Sequence, residues 1–272
     1  MKKIIISVIV YFFTLCLIAQ SAKEFYNQGV KKEKVKDFTG AMSDFNKAIE
    51  KDPNFSPAYV DRGTIKSSLH DYRGAISDYT EAIKLNSKFE LAYYNRGLCR
   101  VDLGDLNGGI ADFTKAIEIN SSFTQAYYDR GTTKARINDF QGSIVDLTEA
   151  IDLNPKFVEA FYNRGISKQR LQDFRGSIAD FSSALQLNPN KAEAYYSRGV
   201  SKYFLNDLKG AIDDYTNTIS LNPKNAVAYQ SRGISKINLG QKESGCMDLS
   251  KAGELGLSSA YEAIKQFCNE RN

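Results

Sequence analysis

The sequence predicts an all-α fold: a solenoid of seven helix-turn-helix repeats closed by a C-terminal capping helix. Three observations carry that prediction. Gly29, Gly63, Gly97, Gly131, Gly165, Gly199 and Gly233 recur every 34 residues with no insertion or deletion. An aromatic stands four residues before each of them (Phe25, Tyr59, Tyr93, Tyr127, Phe161, Tyr195, Tyr229). A small residue follows nineteen later in six of the seven units (Ala48, Ala82, Ala116, Ala150, Ala184, Ala252), Thr218 being the exception. Apolar side chains between these columns keep helical spacing in two short runs per period, and no single unit can bury its open face alone. Each must therefore hide that face against the next, which makes a chain of nearest-neighbour contacts.

The first element is a leader. Residues 1–21 carry Lys2 and Lys3, an apolar run from Ile4 to Ile18 and then small residues, the layout of a secretory signal. The run is about 15 residues, short of the roughly 20 that cross a bilayer, so cleavage near Ala19 to Ser21 is expected in place of an anchor. Phe13, Thr14 and Leu15 lack the small residues that lipoprotein processing favours before Cys16. The expected location is outside the cytoplasm, periplasmic or secreted, with membrane contact only through the leader. Loss of Lys2 and Lys3 would lower the formal charge from +4 to +2, and no concentrated basic stripe remains to bind nucleic acid.

The repeats follow as residues 22–55, 56–89, 90–123, 124–157, 158–191, 192–225 and 226–259. In the unit 158–191, Phe161, Gly165 and Lys168 share one face of the first helix. Ser177, Phe181 and Ala184 form the opposing face of the second, where the missing side chain at Gly165 lets the helices approach. Asp173 is placed to cap the second helix and Pro189 to stop it. After the last repeat, residues 260–272 read as a short amphipathic cap with Tyr261, Ile264, Lys265 and Cys268 at helical spacing. Cys246 on the last full helix and Cys268 on the cap either form a disulfide, which an oxidising compartment favours, or remain two buried thiols. Cys99, in a column otherwise mostly Ser or Thr, is expected to be a small buried residue.

The aromatic, the glycine, the alanines and the closing prolines Pro155, Pro189 and Pro223 fall at spacings that resemble the tetratricopeptide repeat. The resemblance covers residues 22 to about 259. It implies a right-handed superhelical solenoid whose first helices line a concave groove through positions 2, 5, 6, 9, 12 and 13 of each unit. It also implies a non-enzymatic scaffold for protein or peptide partners.

Charges recur with the period, numbered within each unit from Ala22. Position 7 is Arg in every unit but the first, where Gln28 stands; position 11 is always basic; position 23 is always Asp. Arg164 and Lys168, four residues apart, lie on one side of the first helix, and Asp180 points into the same helix-helix interface. These three are expected to form a structural ion-pair set inside the stack. Recognition then falls to the variable positions: Tyr94, Tyr128, Tyr162 and Tyr196 at position 5, Asn95, Asp129 and Asn163 at position 6, and Arg136 and Arg170 at position 13. Tyrosines beside short polar groups suit an extended peptide, although the same rings could simply pack between adjacent first helices.

One subclass of the resembling family clamps the C-terminal carboxylate of cytosolic chaperones. That clamp needs Asn at position 9 and Arg at position 6 of particular units, and neither column holds them. His70, the single histidine, sits in a turn; no nucleophile, base and oxyanion donors converge, so no enzyme is expected. No cofactor is expected, nor a metal, since the cysteines and the histidine show no paired ligand spacing. The other reading left open is a structural accessory of a cell-envelope assembly, self-associating or tethered.

Overall fold

The computed structural model describes residues 20–268, so residues 1–19 of the expected leader and the tail after Cys268 lie outside the described residues. Helices are the regular elements throughout these residues, with no strand among them. Helix α1 covers residues 20–34. It is followed by α2 (Phe38–Lys51), α3 (Ser56–Ser68), α4 (Tyr72–Leu85), α5 (Glu90–Asp102), α6 (Leu106–Ile119) and α7 (Thr124–Arg136). Then come α8 (Phe140–Leu153), α9 (Val158–Arg170), α10 (Phe174–Leu187), α11 (Ala192–Phe204), α12 (Leu208–Leu221), α13 (Ala226–Asn238), α14 (Lys242–Glu254) and α15 (Ser258–Phe267). The described helices pack into two compact units, residues 20–133 and 134–268. Within each unit a helix packs on its neighbours in sequence, as a repeat architecture requires.

Each repeat makes its hairpin with the same few residues. The first helix ends where position 15 turns left-handed: Lys36, His70, Asn138, Gln172 and Asn206 have φ of 61–64°, and Gly104 and Gly240 have 85° and 86°. In the fifth repeat the Asp173 amide then reaches back to the Lys168 carbonyl at 2.9 Å, closing the helix end. Asp173 next caps α10, its carboxylate accepting from the Gly176 amide at 2.9 Å. Asp37, Asp71, Asp105, Asp139 and Asp207 do the same in their own repeats. Gln241 in the last repeat makes no such bond. Where the helices cross, a Cβ on Gly165 would lie 2.7 Å from the Phe181 ring, so only glycine allows this approach.

The charges fill the same crossing. Arg62, Arg96, Arg164, Arg198 and Arg232 each grip the aspartate of their own repeat with two parallel hydrogen bonds, Nε to Oδ2 at 2.8–3.0 Å and Nη2 to Oδ1 at 2.6–2.7 Å. The basic residue at position 11 approaches Oδ2 of the same carboxylate, as in Lys168 to Asp180 at 2.8 Å and Arg100 to Asp112 at 2.9 Å. Lys134 meets Asp146 in the same way at 2.8 Å. The third guanidinium nitrogen reaches back to position 25 of the preceding repeat. Arg164 Nη1 donates to Thr148 Oγ1 at 3.0 Å, and Arg198 to Ser182 Oγ at 3.0 Å. Below each guanidinium lies the aromatic of position 4, with Phe161 at 5.6 Å from Arg164. In the first repeat, where Gln28 replaces the arginine, Asp44 keeps Lys32 at 2.7 Å, but its Oδ2 receives no well-aligned hydrogen bond among the described residues.

At the C-terminal end α15 buries Ala260 and Ala263 on the last hairpin. A disulfide joins Cys246 of α14 to Cys268, just after α15. Cys99 is buried, its thiol 3.4 Å from Ser67 Oγ, and burial pushes its pKa up.

Two outcomes are expected. Asp180 is 3% exposed, so Asp180→Ala leaves two cations facing one another without their carboxylate. It should cost up to about 3–5 kcal/mol, whereas an exposed pair is worth at most about 1 kcal/mol. Thermal melts of the variant decide between these, and an unchanged midpoint would contradict burial of the set. The disulfide closes a separation of 22 residues. Cys268→Ser should weaken the docking of α15 by roughly 2–4 kcal/mol, read as faster amide exchange in α15 than in α13. Equal exchange rates in both helices would mean that the bridge adds nothing to the cap.

Candidate functional site

The first helices present the candidate face, and within each unit its side chains are held from behind. The position 5 tyrosines are half-buried. Tyr94 packs its ring between Phe113 and Phe123, with centroids at 5.7 and 4.8 Å. Its hydroxyl donates to Asp129 Oδ2 of the next repeat at 2.7 Å, and Gln125 Nε2 donates to the same oxygen at 3.1 Å. Tyr26 makes the corresponding bond to Asp61. In the second unit, Tyr196 Oη lies 3.4 Å from Ser231 Oγ, and Tyr162 sits against Phe181 with Lys191 Nζ 4.8 Å over its ring. The hydroxyls of Tyr26, Tyr94 and Tyr196 therefore reach the following repeat, while the Tyr162 ring is held by Phe181 and Lys191 of its own repeat. Tyr128 and Asn163 are half-buried, each on the first helix of its own repeat. Asn95, also partly exposed, makes no side-chain hydrogen bond among the described residues.

This arrangement has an electrostatic consequence. Burial raises the Asp129 pKa, and the hydrogen bonds from Tyr94 and Gln125 offset only part of that rise. Burial likewise raises Asp61, and the Tyr94 phenol is driven well above its usual value by burial first and by Asp129 next. A carboxylate whose folded pKa lies above its unfolded value near 3.9 contributes stability that is full below that pH and is lost as pH rises through the folded value.

The arginines of position 13 behave differently. Arg136 and Arg170 are exposed, and neither makes an ion pair among the described residues. Arg164, Lys168 and Asp180 lie together in the hairpin crossing described above, away from this face. Sequence reasoning missed three aromatics of the second unit. Phe204 occupies position 13 yet is 62% exposed. It stacks on Phe174 with centroids at 4.8 Å and planes 5° apart, and Tyr203 meets its edge at 6.0 Å. Val200 and Phe204 divide two clefts. One of about 240 Å³ runs past Tyr196, Tyr203 and Ile234. The other, of about 400 Å³, runs past Gln169, Arg170 and Phe174. The signal was available as an aromatic in a column that elsewhere holds Lys34, Ser68, Asp102, Arg136, Arg170 and Asn238.

His70 sits at its exposed turn, Nδ1 2.9 Å from the Tyr72 hydroxyl. Among the described residues no group of three or more His, Cys, Asp or Glu is placed to hold a metal ion. None of their helices is long and apolar enough to cross a membrane.

With this geometry in place, comparison with known proteins decides the repeat type. Residues 56–89 and 91–123 match one tetratricopeptide repeat model, and residues 162–226 match another. Over those residues the chain carries tetratricopeptide repeats. No curated protein matches it in sequence. Among solved structures, these repeats resemble the C-terminal part of a TPR repeat-containing protein from Cytophaga hutchinsonii, with a TM-score of 0.75 at 17% identity over 88% of this chain and 99% of that one. They also resemble YrrB, described as a TPR protein with an unusual peptide-binding site, with a TM-score of 0.63 at 23% identity over 68% of this chain and 95% of YrrB. MamA gives a TM-score of 0.58 at 25% identity over 61% of this chain and 96% of its own. The matched models describe tetratricopeptide repeats, typical of protein-protein interaction scaffolds, and indicate no catalytic family.

Asp129→Asn tests the raised carboxylate. The amide keeps an acceptor for Tyr94, and Asn already occupies this position at Asn95 and Asn163. The variant should melt higher than the wild type at pH 7, and that gain should shrink toward pH 4. A gain that is the same at both pH values would show that ionisation of Asp129 costs the fold nothing.

Proposed function

We propose that the protein is a non-enzymatic interaction scaffold, exported from the cell, that binds an extended peptide or a protein partner along the face of its first helices. One observation carries the reading. The repeat confines its recurring charges to the hairpin crossings and leaves half-exposed tyrosines pinned in place on its first helices; in the second unit Arg136 and Arg170 are exposed on those helices without an ion pair among the described residues. Rings already ordered by Phe113 or Phe181 lose little freedom when a peptide covers them, which is the condition for useful affinity. The peptide-binding site named for YrrB supports the same use of this fold. Export is supported by Lys2, Lys3 and the apolar run after them, and by the disulfide between Cys246 and Cys268, which persists in oxidising surroundings. The periplasm and the cell exterior both meet that condition.

The test is cross-linking and co-purification of the native protein, followed by the same experiment on Tyr128→Ala and Tyr162→Ala. Partners bound through the first-helix face should be lost or weakened in both variants while helical content is kept. Partners unchanged in both would favour the reading as a structural accessory of an envelope assembly, gripped through another surface; Met247 on α14, 71% exposed, is the first place to look.

A further inference from the structure

Phe204 breaks its own column, and nothing in the fold requires an aromatic there. Its counterparts in the other described repeats are Lys34, Ser68, Asp102, Arg136, Arg170 and Asn238, and the hairpins around them close equally well. The ring is nonetheless packed, flat against Phe174 and edge-on to Tyr203, whose hydroxyl accepts from Asn238 Nδ2 at 2.9 Å. A large apolar side chain that stays mostly in water is costly to keep exposed. It walls two adjoining clefts, one closed mainly by apolar groups and the other bounded by Arg170.

The charge around it is one-sided. Arg170 and, one repeat earlier in the same column, Arg136 make no ion pair among the described residues. The acids that follow Arg136, Arg170 and Phe204 three residues later, Asp139, Asp173 and Asp207, are turned to their capping bonds with the Gly142, Gly176 and Gly210 amides. Gln169 on the same wall donates to the Ser197 carbonyl and to Ser201 Oγ, so it is satisfied within the fold. What this surface lacks is a carboxylate for two guanidinium groups and an apolar group for one aromatic wall. Guanidinium forks take carboxylates bidentately, and an aromatic side chain entering the cleft would complete the stack on Phe204.

We propose that the surface running from Arg136 through Arg170 to Phe204 docks a peptide segment in which acidic residues adjoin a bulky apolar or aromatic anchor. The anchor enters the clefts beside Phe204 and Val200, and the carboxylates meet the two arginines. This rests on the interaction-scaffold reading and gives it a location and a ligand chemistry.

The probe is a phage-displayed library of short random peptides selected on the purified full chain. Enriched sequences are expected to combine Asp or Glu with Phe, Tyr, Trp or Leu. A fluorescein-labelled copy of an enriched peptide, followed by anisotropy, should bind at least about tenfold more weakly to Phe204→Ala and to Arg170→Glu, and more weakly to wild type as salt rises. Phe204→Trp should retain binding, and circular dichroism should be unchanged in all three. Enriched peptides without acids or without an apolar anchor would overturn the proposal. So would binding that survives Phe204→Ala and Arg170→Glu but falls in Tyr128→Ala and Tyr162→Ala, a result that keeps the scaffold reading and removes this site. A concentration-dependent dimer dissolved by Phe204→Ala would overturn it by seating a second copy in the clefts. No enrichment at all would count against both readings.

Discussion

One guanidinium in every repeat after the first ties this fold together. Arg164 donates twice to Asp180 within its own hairpin and once to Thr148 in the repeat before, while its face rests on Phe161. Only arginine offers that combination, because its donors are fixed in a plane that fits a carboxylate on one edge and a third acceptor on the other. Lysine at position 11 supplies the remaining charge to the same carboxylate but cannot span two repeats. With Arg62, Arg96, Arg164, Arg198 and Arg232 the buried aspartate at position 23 meets both, while Asp44 in the first repeat is buried with Lys32 alone of the pair. A buried pair of this kind adds less to stability than its Coulomb energy implies, since each ion leaves water. Its stronger effect is on register: a hairpin that slid along its neighbour would strand the charges.

That constraint decides which positions are left for recognition. Positions 4, 7, 8, 11, 23 and 24 are committed to the crossing, where Gly165, Phe181 and the ion set share one small volume. Position 5 is half committed, because the hydroxyls of Tyr94 and Tyr196 face the following repeat. The freest column of the first helices is position 13, which is exposed in every repeat. Arg136, Arg170 and Phe204 follow one another there within the second unit, so the most individual chemistry of the chain falls where the repeat restricts it least.

Much of this was legible in the sequence, for a physical reason. A period without insertions forces every hairpin into one geometry, so the glycine and aromatic columns fix the helix pairs, and spacings of three and four bring Arg164, Lys168 and Asp180 to one interface. The capping role of Asp173 follows from its place before a helical run. The third bond of each arginine was not legible from one unit, because it depends on how successive hairpins are offset; the column of Thr80, Thr114, Thr148, Ser182 and Thr216 was its trace. The bond from Tyr94 to Asp129 escaped for the same reason. Lys36, His70 and Gln172 adopt a left-handed backbone that residue type alone would assign to glycine or asparagine, because the turn that closes the hairpin imposes it. Phe204 was hidden by the averaging that made everything else visible: a reading of columns attends to what repeats.

The central claim is that arginine and aspartate are coupled inside each hairpin, not merely adjacent in space. A double-mutant cycle on Arg164→Ala and Asp180→Ala, read by native-state amide exchange in α9 and α10, measures that coupling directly. The account predicts that the double variant loses less than the sum of the two single variants, with a coupling of at least about 1.5 kcal/mol, the lower end for a charge-assisted bond. A coupling below about 0.5 kcal/mol, as expected for an exposed pair, would contradict it.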